Sequence, residues 1–207
     1  NLLQLGRFLG RMHAVGAKCA FSTRPTINPQ NFGHDSIQLI SDRFVPRNLK
    51  EVYDSVCRDL MQAVEARWSH YGDAALIRCH GDCHVGNILW RDDSPHFVDF
   101  DDARQSFAVQ DIWLTLSGER HDQEMQLCEL IEGYNEFHDF HPRELQLVEA
   151  LRTLRIIHYA AWLARRWDDP AFPKAFPWFN TDRYWGEHIL ELREQMAAMD
   201  ETPLRLL

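Results

Sequence analysis

The sequence predicts an α+β fold, mainly helical, with one small β insertion. Three observations carry this. Apolar residues recur at three- and four-residue intervals toward both ends of the chain. Between residues 75 and 100 that period gives way to short apolar runs. The unusual polar residues crowd into the same stretch, above all in the twelve residues 79–90, CHGDCHVGNILW.

Leu2, Leu5, Phe8, Leu9 and Met12 place one apolar face on a first helix over residues 2–17. The Pro- and Asn-rich stretch from Ser22 to Pro46 reads as an extended connection. Asn48 is placed to cap a second helix, in which Leu49, Val52, Tyr53, Val56, Leu60 and Val64 recur up to Trp68. ALIRC (75–79), ILW (88–90) and HFVDF (96–100) are the predicted strands, separated by turn residues. From Asp111 onward the helical period returns, with helices near 111–117, 122–138, 142–166 and 182–199. Pro142 suits a first helical turn, and DDPAFPKAFPWFN (168–180) interrupts the last pair.

With 207 residues, 45% of them hydrophobic, the chain can bury a substantial core. A formal charge of −9 and only three lysines, Lys18, Lys50 and Lys174, argue against a nucleic-acid surface, which needs a concentrated basic face. The five cysteines are scattered, odd in number and contain no CxxC pair, so reduced thiols are expected rather than a disulfide framework or zinc ribbon. No apolar run approaches a membrane span, and the start NLLQLGRFLG lacks the pattern of a signal peptide. These features read as a cytoplasmic protein. The start at Asn1, straight into an amphipathic run, reads as an interior fragment.

If residues 88–90 and 96–98 form a hairpin closed by RDDSP, then 88 faces 98 and 90 faces 96, and the next pair outward is Asn87 with Asp99. Two oxygen ligands at the open end of a hairpin make a seat for Mg²⁺, a hard cation that shares its remaining positions with water and phosphate. Asp82 precedes Asn87 by five positions, on the loop leaving the preceding strand, where a carboxylate can orient a hydroxyl nucleophile beside the same metal. The interval equals that in a kinase catalytic loop, HRDLxxxN, and HGDCHVGN meets that pattern at His80, Asp82 and Asn87.

HGDxHxxN followed by a strand and VDFDDA resembles the aminoglycoside phosphotransferase and choline kinase superfamily. Within it, CHGDCHVGNILWRDD, FVDFDDAR, QDIWLTLSG and DPAFPKAFPW are similar to the bacterial stress response kinase A family, also called RdoA or YihE, over almost the whole chain. The resemblance implies a protein-kinase-like C-terminal lobe with Asp82 as catalytic base, Asn87 and Asp99 as Mg²⁺ ligands, Asp99 also counting among the catalytic groups, His80 bracing the loop, and His84 supporting it or approaching the phosphates. It implies ATP-dependent phosphorylation of protein Ser/Thr hydroxyls by a cytoplasmic monomer. Nothing before residue 75 reads as a Gly-rich strand pair or a strand lysine. The expectation is therefore that residues 1–207 form one C-terminal lobe, with an N-terminal ATP-binding lobe absent from this chain.

Other readings compete. Cys79, His80, Cys83 and His84 have zinc-ligand chemistry, but neighbours on a strand point to opposite faces. Cys83 beside His84 suggests a nucleophilic thiol, although adjacent residues rarely aim at each other. Arg152, Arg155, Arg165 and Arg166 form either a solvated helix face or an anion site, and the aromatics of 172–179 pack under a loop or meet a protein substrate. A small-molecule kinase and a regulatory module without catalysis are the alternatives at the level of function.

Overall fold

A computed structural model describes residues 1–207. The chain divides into two compact units, one of residues 1–27, 71–148 and 203–207, the other of residues 28–70 and 149–202.

The first unit opens with α1 (Leu2–Gly16), which packs on α5 (Arg120–Tyr134). Leu5, Leu9 and His13 recur every four residues on the buried face of α1, opposite Leu127, Leu130 and Tyr134. The helices meet backbone to backbone. A Cβ on Gly10 would stand 2.5 Å from the Tyr134 carbonyl oxygen, and one on Gly6 would collide with that of Leu130. Burial of Leu9, Leu127 and Leu130, at about 2 kcal/mol each, outweighs the roughly 1 kcal/mol that each glycine costs inside a helix.

Two short antiparallel ladders complete the unit. β1 (Ile77–Cys79) pairs with β4 (Arg104–Ser106), a strand the sequence did not announce, and β2 (Ile88–Arg91) pairs with β3 (Ser94–Phe97). The second ladder corrects the expected register: Ile88 faces Phe97 and Trp90 faces Pro95. Asp92 and Asp93, with φ of 49° and 58°, form a two-residue turn with both central residues left-handed, so the loop is shorter than RDDSP and every pair shifts by one. α4 (Val109–Trp113) begins two residues earlier than expected and ends at Trp113.

The second unit is helical: α2 (Asp35–Arg43), α3 (Arg47–Tyr71, of which Tyr71 belongs to the first unit), α6 (Val148–Arg166, which enters at Glu149), α7 (Ala171–Ala175) and α8 (Asp182–Met199). The expected extended connection over 22–46 is helical over residues 29–43. Asn28 accepts the Asn31 amide at 2.8 Å and starts a π-helical turn, Pro29–His34, that runs into α2. Asn48 lies inside the first turn of α3, not at its cap. The predicted helix 142–166 starts as a 3-10 turn, Pro142–Leu147, before α6. Tyr53 and Trp185 meet edge to face at 6.3 Å, and Phe179, fully buried, packs on Phe44 at 5.7 Å. The aromatic stretch 168–180 is thus anchored at Phe179, whereas Trp178 stays exposed. No helix is long and apolar enough to cross a membrane.

Candidate active site

The loop after β1 is held by its backbone. Gly81 has φ of +86°, and a Cβ there would strike the carbonyl oxygen of Asp102, so the turn requires glycine. Fully buried Asp111, on α4, accepts the His80 amide at 2.7 Å on Oδ2 and the Gly81 amide at 2.8 Å on Oδ1. Oδ2 also receives His13 Nε2 at 3.0 Å, and His13 Nδ1 lies 2.9 Å from the Tyr134 hydroxyl. The partners set the tautomer: Tyr134 donates to Nδ1 and Nε2–H donates to the carboxylate. Burial pushes the Tyr134 phenol well up, which keeps it a donor. A relay from α5 through α1 to α4 therefore ends on two amides of the loop.

Asp82, His84 and Asn87 come together on that loop. The Asn87 side-chain amide donates to the Asp82 carbonyl at 3.0 Å, which fixes the amide nitrogen and leaves the side-chain oxygen pointing away from that bond. His84 Nδ1 accepts the Gly86 amide at 3.0 Å and so caps the 3-10 turn Val85–Asn87, while Nε2 stands 3.6 Å from Asp82 Oδ2. His80 Nε2 donates to the Val98 carbonyl at 2.7 Å, tying the loop to the end of the hairpin. The expected role of His80 as a brace therefore matches its contacts.

Asp99 is not the cross-strand partner of Asn87. In the observed register that place belongs to Val98, whose amide donates to the Asn87 carbonyl at 3.0 Å. Asp99 follows directly, in the left-handed region with φ of 61° and ψ of 62°, a conformation that costs a non-glycine residue energy and is sustained by its surroundings. Those surroundings are specific. The Arg24 guanidinium donates to the carbonyls of Phe100, Asp101 and Ala103 at 3.2, 2.6 and 3.1 Å, and the Phe100 ring lies 4.6 Å from His80. Arg24, His13, Tyr134 and Asp111 are the residues that sequence reasoning did not assign. His13, a polar residue on the apolar face of α1, was the available signal.

One amide oxygen from Asn87 and the carboxylate of exposed Asp99 are hard donors suited to Mg²⁺ and poorly suited to soft metals. A zinc cage does not form, because both ring nitrogens of His80 are engaged, Nδ1 by the Asp82 amide at 3.3 Å. His13, Cys79 and Asp111 lie close enough to hold an ion, yet the Cys79 thiol donates to the Ser106 and Phe107 carbonyls and the other two ligand groups are hydrogen-bonded. Cys83 is fully buried and burial pushes its thiol far up, away from nucleophilic use. On α6, Arg152 pairs with Glu149 at 3.1 Å, Arg165 donates to the Ser36 hydroxyl at 3.2 Å and Arg166 lies over Trp162 at 4.5 Å, so these cations already have partners.

Glu144 supports α4 from below. It is buried and accepts the Val109 amide at 2.9 Å. Burial outweighs this amide and that of Ala108, and pushes the carboxyl up to about 7. In the unfolded chain the group titrates near 4.3. Between these values the folded state keeps a proton that the unfolded state has lost, so stability falls as pH rises through the window, by about 4 kcal/mol in total. Glu144→Gln keeps an acceptor and removes the charge. Thermal melts between pH 5 and 7.5 are expected to show a flatter dependence in the variant; equal slopes would assign the titration to another group.

Residues 2–148 match the phosphotransferase enzyme family, and the chain belongs to it. The chain is similar, at 46% identity over 203 residues, to stress response kinase A of Escherichia coli (strain K12), the match taking in 98% of this chain and 61% of that protein. It is 43% identical, with the same coverage, to the serine/threonine protein kinase RdoA of Salmonella typhimurium (strain LT2). The family resemblance read from the sequence is borne out. The chain spans about 61% of the length of these relatives. Among solved structures, amicoumacin kinase hAmiN in complex with AMP-PNP, Ca²⁺ and Ami has a TM-score of 0.64 at 15% identity, covering 99% of this chain and 60% of that one. The microcompartment-associated aminopropanol kinase has a TM-score of 0.63 at 14% identity, covering 96% and 61%. These two likenesses concern the fold.

Proposed function

We propose that this chain is the C-terminal lobe of a cytoplasmic, ATP- and Mg²⁺-dependent kinase that phosphorylates Ser or Thr hydroxyls of proteins, its ATP-binding N-terminal lobe lying outside residues 1–207. The observation that carries the reading is the loop in which Asp82, His84 and Asn87 are drawn together one hydrogen bond from the hairpin end that precedes Asp99. Asn87 and Asp99 hold the metal, which when bound offsets charge on the β- and γ-phosphates. Asp82 accepts the proton of the acceptor hydroxyl as its oxygen bonds to the γ-phosphorus and the bond to the ADP oxygen breaks. His84, its Nδ1 committed to the Gly86 amide, presents Nε2–H toward Asp82 and steadies the carboxylate. The Salmonella relative, a serine/threonine protein kinase by name, supports a protein acceptor.

A second reading, a small-molecule kinase, is favoured by the fold shared with an amicoumacin kinase and an aminopropanol kinase. The test is transfer of labelled γ-phosphate from ATP by the full-length gene product, with and without EDTA, to a protein mixture and to a panel of amino alcohols and aminoglycosides. Metal-dependent label on protein is expected. Label confined to small molecules would select the second reading, and no ATP binding at all would leave a regulatory module.

A further inference from the structure

A cation outside the loop of Asp82 holds the turn that follows Asp99. Residues Phe100–Asp102 form one 3-10 turn whose last carbonyls have no amide of the same turn ahead of them. The carbonyls of Phe100, Asp101 and Ala103 converge instead on one nitrogen, Nη1 of Arg24, at 3.2, 2.6 and 3.1 Å. Carbonyl dipoles aimed at one point repel each other, and a positive charge there offsets that repulsion. The neighbouring Arg104 is paired with Asp102 at 2.6 Å, so the brace falls to Arg24. Asp99 enters this turn with φ of 61°. The contact that closes the turn therefore also fixes the backbone from which the Asp99 carboxylate projects.

Arg24 is itself held by a strand edge. Pro25 disfavours a helical backbone at Arg24, and the residues after it run alongside β4. Thr26 bridges Gln105 in parallel, the Gln105 amide donates to the Pro25 carbonyl at 3.3 Å, and the Ile27 amide donates to the Gln105 carbonyl at 2.9 Å. The Gln105 side chain secures both flanks, its Oε1 accepting the Phe21 amide at 3.2 Å and its Nε2 donating to the Leu76 carbonyl at 2.8 Å. On its other edge β4 pairs with β1, the strand that leads into the loop of Asp82. One strand thus lies between the element that precedes Asp82 and the segment that carries Arg24, and the turn after Asp99 leads into that same strand.

We propose that Arg24 is a positioning residue for the metal: by holding the turn in its left-handed entry it presents Asp99 ready to bind, and its loss lowers metal affinity rather than the rate at saturating metal. The inference rests on the reading above, in which Asn87 and Asp99 hold the metal. The full-length protein is titrated with Mn²⁺ as the probe, followed by electron paramagnetic resonance, and the Mg²⁺ dependence of phosphoryl transfer is measured in parallel. A left-handed residue that has lost its brace is about tenfold less populated. Arg24→Ala and the neutral Arg24→Gln should therefore raise the Mn²⁺ Kd and the half-saturating Mg²⁺ by about that factor, with acceptor KM unmoved and kcat recovered at saturating Mg²⁺. Arg24→Lys, which keeps a cation and three donors, should stay close to wild type. Because Arg24 is exposed, all three variants should melt within a few degrees of wild type. Mn²⁺ affinity unchanged or tightened in Arg24→Ala, but lost in Asn87→Ala and Asp99→Ala, would overturn the role of Arg24 and leave the metal reading standing. A loss shared equally by Arg24→Lys, or a collapse of the melting temperature, would make Arg24 structural alone and overturn the proposal too. Mn²⁺ bound as in wild type by both Asn87→Ala and Asp99→Ala would remove the metal reading, and the proposal with it.

Discussion

Asp82→Asn is expected to lower kcat for phosphoryl transfer by about a thousandfold, near 4 kcal/mol in activation free energy, while leaving the melting temperature almost unmoved. A positioned general base contributes about 10²–10⁴ in rate, and an amide cannot take the hydroxyl proton. The fold survives because the loop is held through the main chain of residue 82: its amide donates to His80 Nδ1 at 3.3 Å and its carbonyl accepts Asn87 at 3.0 Å. The substitution keeps both. Steady-state kinetics on the full-length protein, with a thermal melt, separates the two effects. A variant that kept the wild-type rate would remove Asp82 from the chemistry, and one that lost both rate and stability would make it a structural residue.

Asp111→Ala is expected to do the opposite, costing stability first and activity with it. The carboxylate is fully buried and serves three donors, the amides of His80 and Gly81 and the Nε2–H of His13. Its removal leaves all three unsatisfied away from water, at about 3–5 kcal/mol together. For a chain of this size that is a fall in melting temperature of about 10 °C. Because both orphaned amides belong to the loop that carries Asp82, kcat should drop at least a hundredfold even at temperatures where the variant remains folded. Differential scanning calorimetry and single-turnover transfer measure the two losses. A stable variant with normal kcat would show that Gly81 and the hairpin contacts align the loop without help from α4.

The sequence announced these two residues unequally, and the difference is physical. Asp82, His84 and Asn87 were legible because their chemistry and spacing lie within eight residues of one another, and a local pattern needs no tertiary information. α8 coincides with its predicted bounds of 182–199 for the same reason, an apolar stripe confined to one helix and started by Thr181, which accepts the Tyr184 amide at 3.2 Å. Asp111 and His13 are 98 residues apart, and nothing local says that one needs the other. Residues 29–43 were misread because Pro29, Asn31 and Gly33 resemble a connection, whereas Pro29 sits in the first turn, where its missing amide costs nothing. The hairpin register slipped because Asp92 and Asp93 take left-handed conformations usually given to Asn and Gly. The loop from Asp82 to Asn87 could be read from sequence; the backbone geometry that places Asp99 could not.

The seam between α1 and α5 has a mechanical consequence. Where Gly10 lies against the Tyr134 carbonyl, no side chain intervenes, so there are no rotamers to exchange and no soft layer to compress. Heat and pressure work on voids and on loosely packed groups, and this contact offers neither. One turn beyond Gly10, His13 takes its bearing from that seam and hands it to Asp111. The loop after β1 is therefore gauged against a datum set by covalent dimensions, and the tolerance on its placement is tighter than ordinary core packing would allow.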